Sequence, residues 1–66
     1  MRDESFTLTP AAGDARPPFS HHYIVSRRTA FWRIREASGR AVGRAPTRAG
    51  ARAAVRALYG QAEGRP

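Results

Sequence analysis

The stretch Phe31-Trp32-Arg33-Ile34-Arg35-Glu36 constrains this chain more than any other. Large apolar side chains and arginines alternate through it, with the period of a half-buried β-strand. Burying Arg33 or Arg35 unpaired is costly, so Trp32 and Ile34 must face the core. Phe31 then falls on the arginine side, open to solvent. The preceding run, His21 to Ser26, is aromatic and β-branched and also suits a strand. Ser26 to Ala30 joins the two, with Arg27 and Arg28 at the hairpin tip. Ala37-Ser38-Gly39-Arg40 has turn chemistry, with Gly39 free to take positive φ. Ala41 to Ala45 is a short third strand, in which Gly43 marks a bulge or bend and which Pro46 ends.

A helix follows. Thr47 is placed to cap it, although Gly50 stands where a reciprocal Glu or Gln would complete a capping box. Arg48 to Tyr59 carries an apolar stripe of Ala51, Ala54, Val55, Leu58 and Tyr59 at helical spacing. Gly60 suits the position just past the end. The expected fold is therefore α+β: a three-stranded antiparallel meander packed on one C-terminal α-helix. Its core is expected to hold Tyr23, Val25, Trp32, Ile34, Val42, Val55, Leu58 and Tyr59. His22, Ile24, Phe31, Arg33 and Arg35 would lie on the free face. Residues 1–20 contain three prolines and no period, and read as a flexible N-terminal arm before a domain at 21–60. Residues 61–66 read as a frayed tail.

With 66 residues and no cysteine, the chain has no disulfide to staple it and no thiolate metal site. Its net charge is +7. Residues 1–20 contribute −1 and residues 21–66 contribute +8, so the charge belongs to the folded part. Such a domain attracts polyanions. All 12 basic residues are arginine, a usage that a GC-rich genome also produces. Codon bias explains arginine in place of lysine, but it does not explain the excess of positive over negative charge. No apolar run is long enough to span a membrane, and the N-terminus lacks an apolar signal core. A cytoplasmic location is expected.

The chemistry of catalysis is missing from the region read as ordered. It has no lysine, cysteine or aspartate, and Glu36 has no partner carboxylate for acid–base work. His21 and His22 are strand neighbours whose rings point to opposite faces, so they cannot readily share a metal. GRAVGRA lacks the spacing and the lysine of a phosphate loop. No cofactor, metal or small-molecule substrate is expected, and the chain reads as a non-enzyme.

The arginines remain, in three groups. Arg27 and Arg28 sit at the hairpin tip. Arg33 and Arg35 lie about 7 Å apart on one strand face, comparable with phosphate spacing along a nucleic-acid strand. Arg48, Arg52 and Arg56 form an i, i+4, i+8 row. Guanidinium forks suit phosphate oxygens and guanine edges, and Phe31 offers a surface for base stacking. Competing with this, a row such as Arg48, Arg52 and Arg56 can simply snorkel over the core edge. Exposed arginines on a sheet also discourage aggregation.

The span from Tyr23 to Leu58 resembles a family of small bacterial and phage domains of unknown function. The residues that carry the resemblance are the strand YIV (Tyr23 to Val25), the Trp-x-hydrophobic strand WRI (Trp32 to Ile34) and the Thr-led helix start TRAGA (Thr47 to Ala51). Gly50 departs from the polar residue usual before the early alanine. The resemblance implies a β-β-β-α fold and no reaction. The layout is also similar to the three-stranded DNA-binding arms of phage-type recombinases.

Three functions are open on this basis. The first is nucleic-acid binding through the open sheet face and hairpin tip, with arginines gathered on one shared surface. The second is a phage-encoded, anti-CRISPR-like inhibitor that binds a host nucleic-acid-handling defence complex, with Phe31 and Ile24 as anchors. The third is a homodimer. Pairing through the open face sets Arg33 and Arg35 against their copies, whereas pairing through the edge of the first or third strand avoids that repulsion.

Overall fold

A computed structural model describes residues 3–64. Four strands and one long helix make up the domain: β1 (Thr7–Leu8), β2 (Ser20–Ser26), β3 (Thr29–Arg35), β4 (Ala41–Ala45) and α1 (Arg48–Glu63). A 3-10 helix at Pro10–Asp14 joins β1 to the rest. The sheet is antiparallel with strand order β1-β4-β3-β2. The fold is thus α+β, but with four strands where the sequence suggests three. The added strand comes from the segment read as a flexible arm.

That segment is part of the fold. Thr7 and Leu8 pair with Arg44 and Gly43, and the Thr9 amide donates to the Val42 carbonyl at 3.0 Å. Ala12, Ala15 and Phe19 are buried in the same core as Ile34, Val42 and Leu58. The Arg16 amide donates to Glu36 Oε1 at 2.8 Å, and the Ala37 amide donates to the Arg16 carbonyl at 3.0 Å. Met1 and Arg2 lie outside the described residues.

The β2–β3 hairpin follows the expected alternation. Tyr23 opposes Trp32, His21 opposes Ile34 and Ile24 opposes Phe31. Ile34 is fully buried against α1, and Trp32 packs half-buried at the core margin. Tyr23 and Val25 share that face but are not in the core; they remain 56% and 70% exposed. The core gathers under β3 and β4, and β2 is the last strand of the sheet. Alternation fixes which way these two side chains point, but not whether anything covers them.

A register shift occurs where Gly43 suggests it. Ile34 opposes Gly43 while Arg35 opposes Ala41, leaving Val42 as the extra residue. Val42 and Gly43 are both buried, which turns Arg44 to the opposite side. Gly39 takes φ +90° in the β3–β4 turn. Thr47 caps α1 as its sequence position suggests, its hydroxyl oxygen accepting from the Gly50 amide at 3.0 Å.

The helix runs past Gly60, which lies inside α1, so residues 61–63 are helical and not frayed. Gly64 takes the C-cap, with its amide donating to the Gly60 carbonyl at 3.1 Å. Ala62 packs against the core and holds this last turn down. A Cβ at Gly60 would meet nothing within 4 Å. Gly60→Ala is therefore expected to stabilise the domain by about 0.5–1 kcal/mol, read as a higher urea midpoint. If Gly60 ended the helix in a left-handed conformation, the same change would destabilise it.

Candidate nucleic-acid interface

Register alone assembles the solvent face of the sheet. Arg33 stands between His22 on β2 and Arg44 on β4, and Phe31 stands opposite Ile24. Thr7 of β1 opposes Arg44. With Ser20, Ser26, Thr29, Arg35 and Ala41, this face carries cations and an aromatic ring but no carboxylate.

Phe31 is the centre of the arrangement. The Arg44 guanidinium lies 4.2 Å from its ring centroid, and that of Arg33 lies at 5.4 Å. Both are within cation–π range, which orients the two planar groups beside a flat apolar surface. A shallow hollow of about 250 Å³ adjoins Phe31 and Arg44, bounded by Thr7 and Thr29. Arg35 belongs to the same face, but one of its N–H groups donates to the Gly39 carbonyl, so it serves the turn as well. Arg27 and Arg28 are exposed in the two-residue turn at the hairpin tip.

The eight residues singled out from the sequence do not form one surface. Phe31, Arg33 and Arg35 lie on the open face, with Arg27 and Arg28 at its end. Arg48, Arg52 and Arg56 lie on α1, which packs on the other side of the sheet over Ile34, Val42 and Ala45. The expectation of a single shared arginine surface is corrected accordingly: the sheet itself separates the two sets.

Arg44 is the residue that alternation misses. Counting by twos from the inward Val42 sends it toward the core, and the bulge reverses that. The signal was present in Gly43, and in the same rule that kept Arg33 and Arg35 outside: an unpaired guanidinium is not buried.

Two other groups are occupied structurally. Arg40 and Glu36 form the salt bridge found among the described residues, at 3.1 Å. Hydrogen bonds from the Ser38 hydroxyl and the Arg16 amide, together with Arg40, hold the Glu36 carboxyl below its ordinary value. Glu36 is thus a turn anchor. No group of three or more His, Cys, Asp or Glu side chains able to hold a metal occurs among the described residues. No helix among them is long and apolar enough to cross a membrane.

Among the described residues the β2 edge of the sheet is unpaired, whereas the outer edge of β4 is occupied by β1. Of the two strand edges considered for a homodimer, the first strand's remains open and the third strand's is closed.

Comparison with protein families, curated proteins and solved structures finds no match to this chain.

Proposed function

We propose that this chain is a non-enzymatic nucleic-acid-binding module that takes a strand on its open sheet face. The observation that carries this reading is Phe31, flanked by the Arg33 and Arg44 guanidiniums on a face without carboxylates. The guanidiniums supply phosphate contacts and counterion release, and the ring supplies a stacking surface. Stacking requires a base free of its duplex neighbours, which favours single strands over duplex.

Titrating a labelled single strand at several salt concentrations tests this. If Arg27, Arg28, Arg33, Arg35 and Arg44 each meet one phosphate, log K should fall against log salt with a slope of about −3.5. Replacing both Arg33 and Arg44 with alanine should weaken binding and flatten the slope to about −2.1. Phe31→Ala should cost about 1–3 kcal/mol of affinity and leave the slope nearly unchanged, because it removes stacking and no charge. Binding insensitive to salt, or to all three substitutions, rejects the proposal.

A second reading is favoured by Tyr23 and Val25, large apolar side chains left exposed beside the basic tip. They suit anchors on a protein, as an inhibitor of a host nucleic-acid-handling defence complex would need. Capture of one host protein that survives nuclease treatment and is lost in Tyr23→Ala supports this alternative. Capture that disappears with nuclease supports the first.

A further inference from the structure

The arginines on α1 are left unused by the open face. Arg48, Arg52 and Arg56 recur every four residues, about 6 Å apart along the helix axis. All three are exposed, and none has a carboxylate in salt-bridge range among the described residues. Between this flank and the start of β2 runs a cleft of about 560 Å³. Phe19, Val55 and Tyr59 give it an apolar floor, His21 lines its β2 side, and Arg52 and Arg56 stand at its rim. A second hollow of about 450 Å³ borders the same row and includes Glu4 and Arg48.

Arginines that only covered the core edge would lie down over that floor and fill the cleft. Here the cleft stays open, and Tyr59 remains 37% exposed. The His21 ring stacks on Trp32, with centroids 5.2 Å apart and planes 29° apart. Its Nε2 is shielded from solvent and has no hydrogen-bond partner among the described residues. Burial first, then the charges of Arg48, His22 and Arg52, hold this imidazole below its ordinary value of 6.5. The region therefore sets three guanidiniums against one carboxylate, Glu4, beside flat rings, and a negatively charged group with a planar body complements the charge and the rings.

We propose that the cleft between α1 and β2 is a second nucleic-acid site, so that one molecule holds two separate strands on opposite sides of its sheet. Phosphates lie along Arg48, Arg52 and Arg56, and one base enters over Phe19, Val55 and Tyr59. The proposal rests on the open face binding the first strand. It makes the domain a bridge between strands, beyond simple attachment to one.

Short non-complementary single strands of about four nucleotides, carrying donor or acceptor dyes, suit the test because their roughly 20 Å length does not let one strand occupy both sides of the sheet at once. The wild type should bring donor and acceptor together at low protein ratios and separate them again in protein excess. The R52A/R56A variant should still bind one strand by fluorescence anisotropy but lose energy transfer at least tenfold. The R33A/R44A variant should lose it similarly. In an NMR titration, strand binding should raise the His21 pKa in the wild type and in R33A/R44A, but not in R52A/R56A. The groups facing His21 are Arg48 and Arg52 on α1 and His22 on β2, so an anion among them favours the imidazolium. Energy transfer that persists in R52A/R56A, or saturation at one strand per chain, overturns the second site while leaving the first. Binding abolished by R52A/R56A and untouched by R33A/R44A instead removes the open face and, with it, the bridge. A wild type that takes up no strand overturns both.

Discussion

Removing residues 1–16 is expected to abolish the cooperative thermal transition of the domain. The segment supplies the β1 edge strand, two buried alanines and the cover over Val42. It also supplies the Arg16 backbone groups that hold Glu36 and Ala37. Each lost hydrogen bond costs about 0.5–1.5 kcal/mol, and uncovering the apolar groups beneath costs more. At roughly 0.05–0.15 kcal/mol per residue, a domain of this length has only about 3–10 kcal/mol in hand. Circular dichroism across a temperature ramp is the check. A truncated chain that melts within a few degrees of the full one would show that the segment is an appendage.

Ile34→Ala is expected to have an effect of similar size from the centre of the fold. Ile34 is fully excluded from solvent, between His21 and Gly43 on the sheet and beneath α1. Truncating such a side chain costs about 2–5 kcal/mol, including the cavity that remains. Ile34→Val removes one methylene and should cost only about 0.5–1.5 kcal/mol, keeping a measurable transition if the alanine variant is unfolded. Urea denaturation of the pair gives both values. Phe31→Ala, three residues away on the other face, should move strand affinity and cost clearly less stability than Ile34→Ala, because Phe31 is only half-buried. Equal losses of stability from Ile34→Ala and Phe31→Ala would contradict the assignment of the two faces.

The parts of the fold legible in the sequence are those written as local pattern. Alternation from Phe31 to Arg35 gave the facing of β3, Gly39 gave its turn, and Thr47 gave the start of α1. The parts that escaped depend on distant contacts. β1 is two residues long and the 3-10 helix five, too short to carry a period, and both are held by β4 and the core. Gly60 suits the position just past a helix end, which places the end of α1 at Tyr59, and a glycine inside a helix costs about 1 kcal/mol relative to alanine. Packing of Ala62 and the cap at Gly64 outweigh that cost. Tyr23 and Val25 have inward parity and still lack cover, because parity says nothing about the reach of the helix. For the candidate site, Phe31, Arg33 and Arg35 followed from alternation. Arg44 joined them only through the bulge, and the separation of the α1 row follows from the packing of the helix against the far side of the sheet.

Gly43 and Gly50 are two places where the N-terminal segment closely approaches the rest of the molecule. A Cβ on Gly43 would stand 3.0 Å from Leu8 Cδ2 and 3.1 Å from the Thr7 carbonyl oxygen, and one on Gly50 would overlap the Ser5 carbonyl oxygen. At Gly13 and Gly60 nothing lies within 4 Å. A randomised library sorted for folded members should therefore be nearly invariant at Gly50, biased toward small residues at Gly43 and permissive at the second pair. That contrast makes the seat of the leading segment visible in sequences alone, without any further structure.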